Sequence, residues 1–253
     1  MNPSSVKQPM TRRLPALSRW AFFASMWAGA ALITATSLVY FDFDTLPPFV
    51  IEKLPVRFES LWLWSLRVHV ASALLTFPLC LLLMTRVLQR RPLWHRWLGR
   101  LAGTAVLCAL VPSGVVLAFD AKGGPWVTLG FLLSAALVAV AMSLGVVAAR
   151  RRDLPLHARL MRHVVAQMSV AVTSRALIFA LDTAGVNPDV SYVVALWGPV
   201  LVSAAVAELA SRRLSWSFAS PLYAVQRMYR EFFSPPALVR ARATTRPFTR
   251  SGR

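Results

Sequence analysis

Cysteines and charged residues are both scarce in this chain. Its only cysteines, Cys80 and Cys108, lie inside apolar runs, which argues against a disulfide-stapled secreted fold. Charged residues make up 15% of the chain and hydrophobic residues 57%, and the mean hydropathy is +0.55. This balance excludes a disordered chain and is too apolar for an ordinary soluble domain. The composition therefore indicates a membrane protein.

Sequence motifs for the common enzyme chemistries are also missing. The chain has no P-loop, no H-E-x-x-H zinc motif, no G-x-S-x-G nucleophile elbow, no C-x-x-C pair and no glycine pattern for a dinucleotide. The 10 Asp and Glu residues are too few for a carboxylate-bound metal within the membrane, where Glu208 stands alone. The sequence leaves open whether the protein is an enzyme, and it predicts no metal other than a haem iron.

Six apolar runs are long enough to cross a membrane. A hydrocarbon core about 30 Å thick needs roughly 20 apolar residues of helix, so these runs predict an all-α bundle of six transmembrane spans. The longest connection, Asp42 to Ser60, contains several prolines and is expected to be an extended or partly interfacial loop. The predicted spans are Trp20 to Phe41, Leu61 to Met84, Leu98 to Phe119, Trp126 to Ala149, Val164 to Leu181 and Tyr192 to Ala210.

Positive charge is distributed unevenly between the connections. Most of the 28 Lys and Arg residues lie in the N-terminal segment, the C-terminal tail and the predicted loops Arg86 to Arg100 and Arg150 to Arg162. The positive-inside rule therefore places both termini in the cytoplasm. Because topology accounts for most of the net charge of +18, no nucleic-acid partner is expected. The opposite side carries acids: Asp42, Asp44, Glu52, Glu59, Asp120, Asp182 and Asp189.

This topology divides the chain into three parts. Residues 1–19 form a cytoplasmic segment, residues 20–211 the transmembrane domain, and residues 212–253 a basic cytoplasmic tail. The tail is expected to contain a short amphipathic helix before Pro235 and then an arginine-rich stretch that binds anionic lipid headgroups. A solvated tail that only reinforces the topology is the alternative. Membrane lipids are the predicted partners.

Ionisable side chains inside a span are costly and are therefore functional candidates. His69 and Arg67 lie in the second span, Arg175 in the fifth and Glu208 near the cytoplasmic end of the sixth. Arg67 is close enough to the boundary to reach water. Arg175 needs an internal partner, which is a nearby polar side chain, a backbone carbonyl or a bound anion. A polar clamp between helices is the alternative to a ligand site.

Three of the four histidines lie near the predicted cytoplasmic boundary. His95 opens the third span, and His157 and His163 open the fifth, in segments that share the pattern H-x-x-L-x-R. This weak internal repeat places His95 and His157 at equivalent depths. Two of the three could be axial ligands of a haem b, or all could contact lipid phosphates. Since His69 has no outer partner, at most one such haem fits. The predicted partners of an anionic group there include Arg96, Arg100 and Arg162.

The order of these polar blocks resembles a known family. Residues from about 69 to 208 resemble the bacterial predicted membrane proteins grouped as domain of unknown function 2306, through the blocks H-R-W-L-G-R and H-A-R-L-M-R. Ala158 and Arg159 depart from the aromatic or polar residue expected within the second block. The resemblance implies a small helical inner-membrane protein and names no substrate. It also implies that one constellation is formed by His69, His95, His157, Arg162, Arg175 and Glu208.

Three functions follow from these observations. The first is a haem b electron-transfer protein with a bis-His site at the cytoplasmic side. The second is a transporter or lipid-handling protein that binds an anionic ligand through Arg175, His69 and the arginine-rich inner mouth. The third is a noncatalytic scaffold or assembly factor that uses the basic tail. The spans contain prolines that are expected to kink them without marking a broken helix: Pro78, Pro112 and Pro199.

Overall fold

The transmembrane part of the chain folds entirely into helices and turns. The computed structural model describes residues 14–42 and 44–212, and within these residues it contains no strand. The predicted tail helix and basic stretch lie outside the described residues. Six helices are long and apolar enough to cross a membrane, which confirms the all-α prediction of six spans. They are Trp20–Phe41, Glu59–Leu83, Pro92–Phe119, Pro125–Arg150, Leu154–Thr183 and Pro188–Ser211.

The third span is built from three pieces, whereas the fourth, fifth and sixth are continuous α-helices. A π-helical segment, Val106–Leu110, joins α5 to α6 within the third span, and a short 3-10 segment, Leu38–Phe41, follows α1. In chain order the α-helices are α1 (Leu14–Ser37), α2 (Pro48–Lys53), α3 (Glu59–Leu83), α4 (Arg86–Gln89), α5 (Pro92–Ala105), α6 (Val111–Phe119), α7 (Pro125–Arg150), α8 (Leu154–Thr183) and α9 (Pro188–Arg212).

Two of the helices begin at least six residues earlier than the sequence predicted. The third span starts at Pro92 instead of Leu98, and the fifth at Leu154 instead of Val164, so the predicted loops on the basic side were too long. Hydropathy detects only the part of a helix that lies in hydrocarbon, and these first turns are rich in arginine. Proline fits the first turn because it has no N–H to leave unpaired, and Asp153 caps α8 by accepting the backbone N–H of Leu156 at 3.1 Å.

Short connections make consecutive spans antiparallel, so the described bundle has two ends. We call the end formed by residues 84–91 and 151–153 the basic end, and the end formed by residues 42–58, 120–124 and 184–187 the acidic end. That the basic end faces the cytoplasm stays a prediction from the charge distribution.

The connection between the first two spans contains a helix, so the expectation of an extended loop was wrong for Pro48–Lys53. Val50 of this helix is only 2% exposed and packs with Trp62 and Leu66 of α3. Glu52 forms an ion pair with Lys122 of the turn before α7. These contacts hold α2 against the acidic end of the bundle.

Helix α3 is a central element of the bundle. It contacts α1, α5, the π segment, α6 and α8, while α8 also packs along α7 and α9. The largest buried apolar cluster includes Met26, Phe77, Leu81, Val106 and Met142. Within the described residues α3 and α9 do not contact each other, so α8 separates them.

Large apolar side chains cover the outside of the bundle. Trp20 is 76% exposed, Leu32 67% and Phe179 74%. A soluble monomer rarely exposes contiguous apolar surface on this scale, and a bilayer would cover it. Exposed Trp94 and Trp97 lie beside the arginines of α5, as is typical of side chains at the membrane–water interface.

Candidate functional site

His95 and His157 occupy matching positions at the basic end. Each histidine lies one turn after the first residue of its helix. The backbone N–H of His95 donates to Arg91 O, and that of His157 donates to Asp153 O, both at 3.0 Å. We call His95 and His157 the histidine pair.

The hydrogen bonds of this pair differ between its two rings. The Nδ1 atom of His157 lies 2.9 Å from the carbonyl oxygen of Gly145 on α7. Because a carbonyl can only accept, Nδ1 carries the hydrogen in this bond and the lone pair of the neutral ring is on Nε2. The Nδ1 atom of His95 is buried and has no hydrogen-bond partner among the described residues. The pair thus combines a fixed tautomer with an unsatisfied ring nitrogen.

His163 has a different environment, although it follows His157 on the same helix. Its Nε2 lies 3.4 Å from Oε2 of Glu208 on α9. Glu208 also accepts two hydrogen bonds from Nη2 of Arg159, at 2.6 and 2.7 Å. The Arg159 and Glu208 side chains are 18% and 21% exposed. We call Arg159, His163 and Glu208 the ion triad, and it connects α8 to α9.

Further polar contacts extend the α8–α9 interface beyond the ion triad. Arg162 donates to Ser211 Oγ at 3.3 Å. Deeper in the bundle, the buried amide of Gln167 donates to Val200 O and to Ser203 Oγ, both at 3.0 Å. These bonds join side chains of α8 to two side chains and one backbone carbonyl of α9, so Arg162 belongs to a polar clamp.

Arg96 and Arg100 of α5 point outward at the basic end. Arg96 Nε donates to Pro92 O of its own helix at 3.2 Å, and the guanidinium of Arg100 lies 5.2 Å from the ring centre of Trp97. Neither forms an ion pair with a carboxylate of the described residues. Their charge can therefore pair with an anion bound at this end.

His69 lies in the other half of the bundle, where it contacts the interruption of the third span. Its Nδ1 is 3.1 Å from Leu110 O and 3.3 Å from Ser113 Oγ. Pro112 has no backbone N–H to donate to the preceding turn. The backbone N–H of Val111 donates to the carbonyl oxygen of Val106, five residues earlier. A π turn directly precedes Pro112, but the third span stays helical from Pro92 to Phe119, so Pro112 does not mark a broken helix.

Gly114 makes the position of the His69 ring possible. A Cβ atom at residue 114 would lie 3.0 Å from Cε1 and 3.2 Å from Nδ1 of His69. Both separations are tighter than ordinary van der Waals contact. The absence of a side chain therefore lets α3 and α6 hold this imidazole between them.

Arg175 lies about 12 Å from the acidic end of α8 at 1.5 Å per residue. Its Nη1 donates to Ala171 O at 2.8 Å, so a backbone carbonyl of its own helix is its hydrogen-bond partner. His69 of α3 and Tyr192 of α9 lie in the same half of the bundle as Arg175. We call His69, Arg175 and Tyr192 the Arg175 cluster.

The candidate residues form separate groups. Arg175 is eighteen residues beyond His157 on a continuous helix, which corresponds to about 27 Å. The single constellation implied by the family resemblance is therefore wrong: the histidine pair and the ion triad are at the basic end, and the Arg175 cluster is in the opposite half. Within the described residues no group of three or more His, Cys, Asp or Glu side chains converges on a metal position.

The comparison with protein families identifies the chain. Residues 66–211 match the model of the predicted membrane protein family DUF2306. The chain belongs to this family. The match confirms the resemblance seen in the sequence and the membrane character of the protein. No curated protein and no solved structure matches the chain.

The DUF2306 region contains the histidine pair, the ion triad and the Arg175 cluster. It begins just before His69 and ends at Ser211, so the first span lies outside it. Sequence reasoning missed Arg159, Tyr192 and the carbonyl of Gly145. Only Arg159 had a local signal, since it precedes His163 by four residues and therefore shares its helix face.

Proposed function

We propose that this DUF2306 protein is a membrane-bound electron-transfer protein that holds one haem b at the basic end, with His95 and His157 as axial ligands. A bound haem would supply reversible one-electron transfer through its iron. The observation that carries this proposal is the histidine pair, two imidazoles that lie one turn into two different helices at the same end of the bundle.

The tautomer of His157 suits a metal ligand. Iron binds the lone pair of a ring nitrogen, and ligating histidines usually donate the other ring N–H to a carbonyl or carboxylate. The bond from Nδ1 of His157 to Gly145 O has this form. This hydrogen bond orients the ring and raises the basicity of its Nε2 atom.

The unsatisfied nitrogen of His95 also supports a ligand at this position. A buried polar atom without a partner costs about 1–3 kcal/mol, and Nδ1 of His95 is such an atom. A bound group that contacts this ring would offset part of the cost. Arg96 and Arg100 lie on the same helix and carry charge that could pair with haem propionates.

His163 is less suited to bind iron than His157. Its Nε2 faces the carboxylate of Glu208, which Arg159 already holds by two hydrogen bonds. Recruiting His163 would break the ion triad. The structure therefore supports His157 over His163 as the second ligand, a choice that the sequence left open.

The test is the visible spectrum of the purified full-length protein after expression with ample haem. We expect a b-type reduced-minus-oxidised spectrum and a near-stoichiometric haem content per chain. His95→Ala and His157→Ala should each abolish the band, and the matched variant His163→Ala should retain it. Size-exclusion profiles establish that each variant is folded.

Two results would contradict the proposal. One is a wild-type protein without haem, which would favour lipid phosphate or another anion as the partner of these imidazoles. The other is equal loss of haem in all three histidine variants, because this would show that the band depends on the stability of the bundle and not on the histidine pair.

A further inference from the structure

The first two turns of α5 present two arginines to the outside of the bundle. Arg96 and Arg100 are one turn apart, and Trp97 adjoins both, so the three side chains share one face of the helix. All three are exposed, and Trp97 is 66% exposed. The opposite face carries Ala102, which is 1% exposed and belongs to the largest buried cluster. The arginines therefore face the surroundings of the bundle and not its interior.

These turns are expected at the level of the lipid headgroups. The third span is 28 residues long, which corresponds to about 42 Å, whereas the hydrocarbon core is about 30 Å thick. Since the arginines of α5 lie toward its Pro92 end, the excess length of the helix falls there. Leu101 continues the same face toward the hydrocarbon and is also exposed, so lipid is expected to cover this face.

Neither arginine has a counter-ion among the described residues. The guanidinium of Arg100 lies 5.2 Å from the ring centre of Trp97, and Arg96 Nε donates to Pro92 O at 3.2 Å. Residues 86–100 contain three further arginines and no Asp or Glu. The two contacts hold the side chains without neutralising their charges, and the other N–H groups of each guanidinium remain available to an anion.

The carboxylates of the described basic end are engaged elsewhere. Glu208 accepts hydrogen bonds from Arg159, and Asp153 caps α8 by accepting the backbone N–H of Leu156. An anion that pairs with Arg96 and Arg100 is therefore expected to come from outside the bundle.

We propose that Arg96, Trp97 and Arg100 form a docking site for the headgroup of an anionic phospholipid. The planar guanidinium matches the oxygens of a phosphate, and two arginines one turn apart can contact the same phosphate. The indole supplies an amphipathic surface of the kind that is enriched at the membrane–water interface. A lipid fits this face better than a soluble protein, because the face continues into the apolar surface of the span. The site does not require haem, since the Nδ1 atom of His95 is buried on the inward side of α5.

Native mass spectrometry of the purified full chain tests the site, with added phosphatidylglycerol or with phosphatidylcholine of the same acyl chains. We expect phosphatidylglycerol to bind more tightly than phosphatidylcholine, and inorganic phosphate not to displace it. Arg96→Gln and Arg100→Gln should each weaken the binding of phosphatidylglycerol about fivefold. Arg57→Gln is the matched control and should leave binding unchanged, because Arg57 lies 5.2 Å from the ring centre of Phe58 but at the acidic end.

A further variant tests the contribution of the indole. Trp97→Ala removes the ring beside Arg100 without changing any charge, and it should weaken the binding of phosphatidylglycerol severalfold in a protein with a wild-type size-exclusion profile. Haem content is quantified in the same samples, because haem propionates and a lipid phosphate would compete for these arginines.

Four results would overturn the proposal. They are equal affinity for the two lipids, displacement by inorganic phosphate, equal losses in the Arg57 and Arg100 variants, and arginine variants that lose haem but keep phosphatidylglycerol. The last result would assign the arginines to the haem propionates. Dissociation of an oligomer in the arginine variants, with lipid binding unchanged, would also contradict the proposal, because it would assign the face to a second copy of the chain.

Discussion

Two polar groups, one in each half of the bundle, satisfy their side chains in different ways. At the basic end, Arg159 and His163 of α8 pair with the carboxylate of Glu208 on α9. In the opposite half, Arg175 and His69 use backbone carbonyls, Ala171 O and Leu110 O. A side-chain ion pair neutralises charge and joins helices, whereas a carbonyl partner leaves the charge of the cation uncompensated. Stability is therefore expected to depend more on the first arrangement than on the second.

The largest expected effect tests the stabilising role of the ion triad. Glu208→Ala leaves the largely buried Arg159 without its counter-ion, and loss of one partner of a buried pair costs about 3 kcal/mol. Reversible unfolding of the protein in mixed detergent and SDS micelles measures this loss of stability.

A double-mutant cycle isolates the interaction within the triad. Arg159→Ala combined with Glu208→Ala should be less destabilising than the sum of the single variants, because the uncompensated charge is gone. Additive effects would show that the two side chains do not stabilise each other.

Two glycines of the third span sharpen the comparison. Gly114→Ala would place a Cβ atom 3.0 Å from the His69 ring, and that ring is held by its bond to Leu110 O. We expect a loss of about 1 kcal/mol, at the lower end of the cost of overpacking. At Gly99 no atom lies within 4 Å of an added Cβ, so Gly99→Ala should be neutral or stabilise the helix by about 0.5 kcal/mol. The same unfolding titration measures both, and equal effects would contradict the packing described for His69.

The smallest effect is expected from the ion pair at the acidic end. The hydrogen bond and the charge of Glu52 raise the pKa of Lys122 above its ordinary value of 10.5. The contribution to stability is therefore fully present below pH 10.5 and is lost as the pH rises through the higher pKa of the folded state. It is small, because the side chains are 61% and 63% exposed.

The pH dependence of the melting temperature checks this contribution. Glu52→Gln should melt slightly below wild type at neutral pH, and the difference should vanish at strongly alkaline pH. A difference that is constant over the whole range would show that the effect of Glu52 is not electrostatic.

The number of spans could be predicted from the sequence, because the length and hydropathy of a run are local properties. The starts of α5 and α8 could not be predicted, since their arginine-rich first turns lie beyond the apolar part of each span. Pro92 begins α5, and the cap at Asp153 begins α8. The π segment before Pro112 also escaped prediction. A proline shows that a hydrogen bond is lost, and only the packing of the neighbouring helices decides how the backbone adjusts.

The candidate residues could be named from the sequence because ionisable groups are rare in apolar runs. The grouping of these residues in the folded bundle could not be predicted from the sequence. His157 and His163 are six residues apart on one helix, yet α7 supplies a carbonyl to the first and α9 a carboxylate to the second. Likewise, α8 packs against α3, α7 and α9, which no local pattern records.

The sequence by itself determined the class of the protein, its six spans, the difference in charge between the two ends and the family, since each depends on residue type and order along the chain. The tertiary structure decided which side chains meet. Helix packing brings together residues that are far apart in sequence, and the depth and rotation of each helix set their partners. For that reason the histidine pair, the ion triad and the Arg175 cluster are properties of the folded bundle.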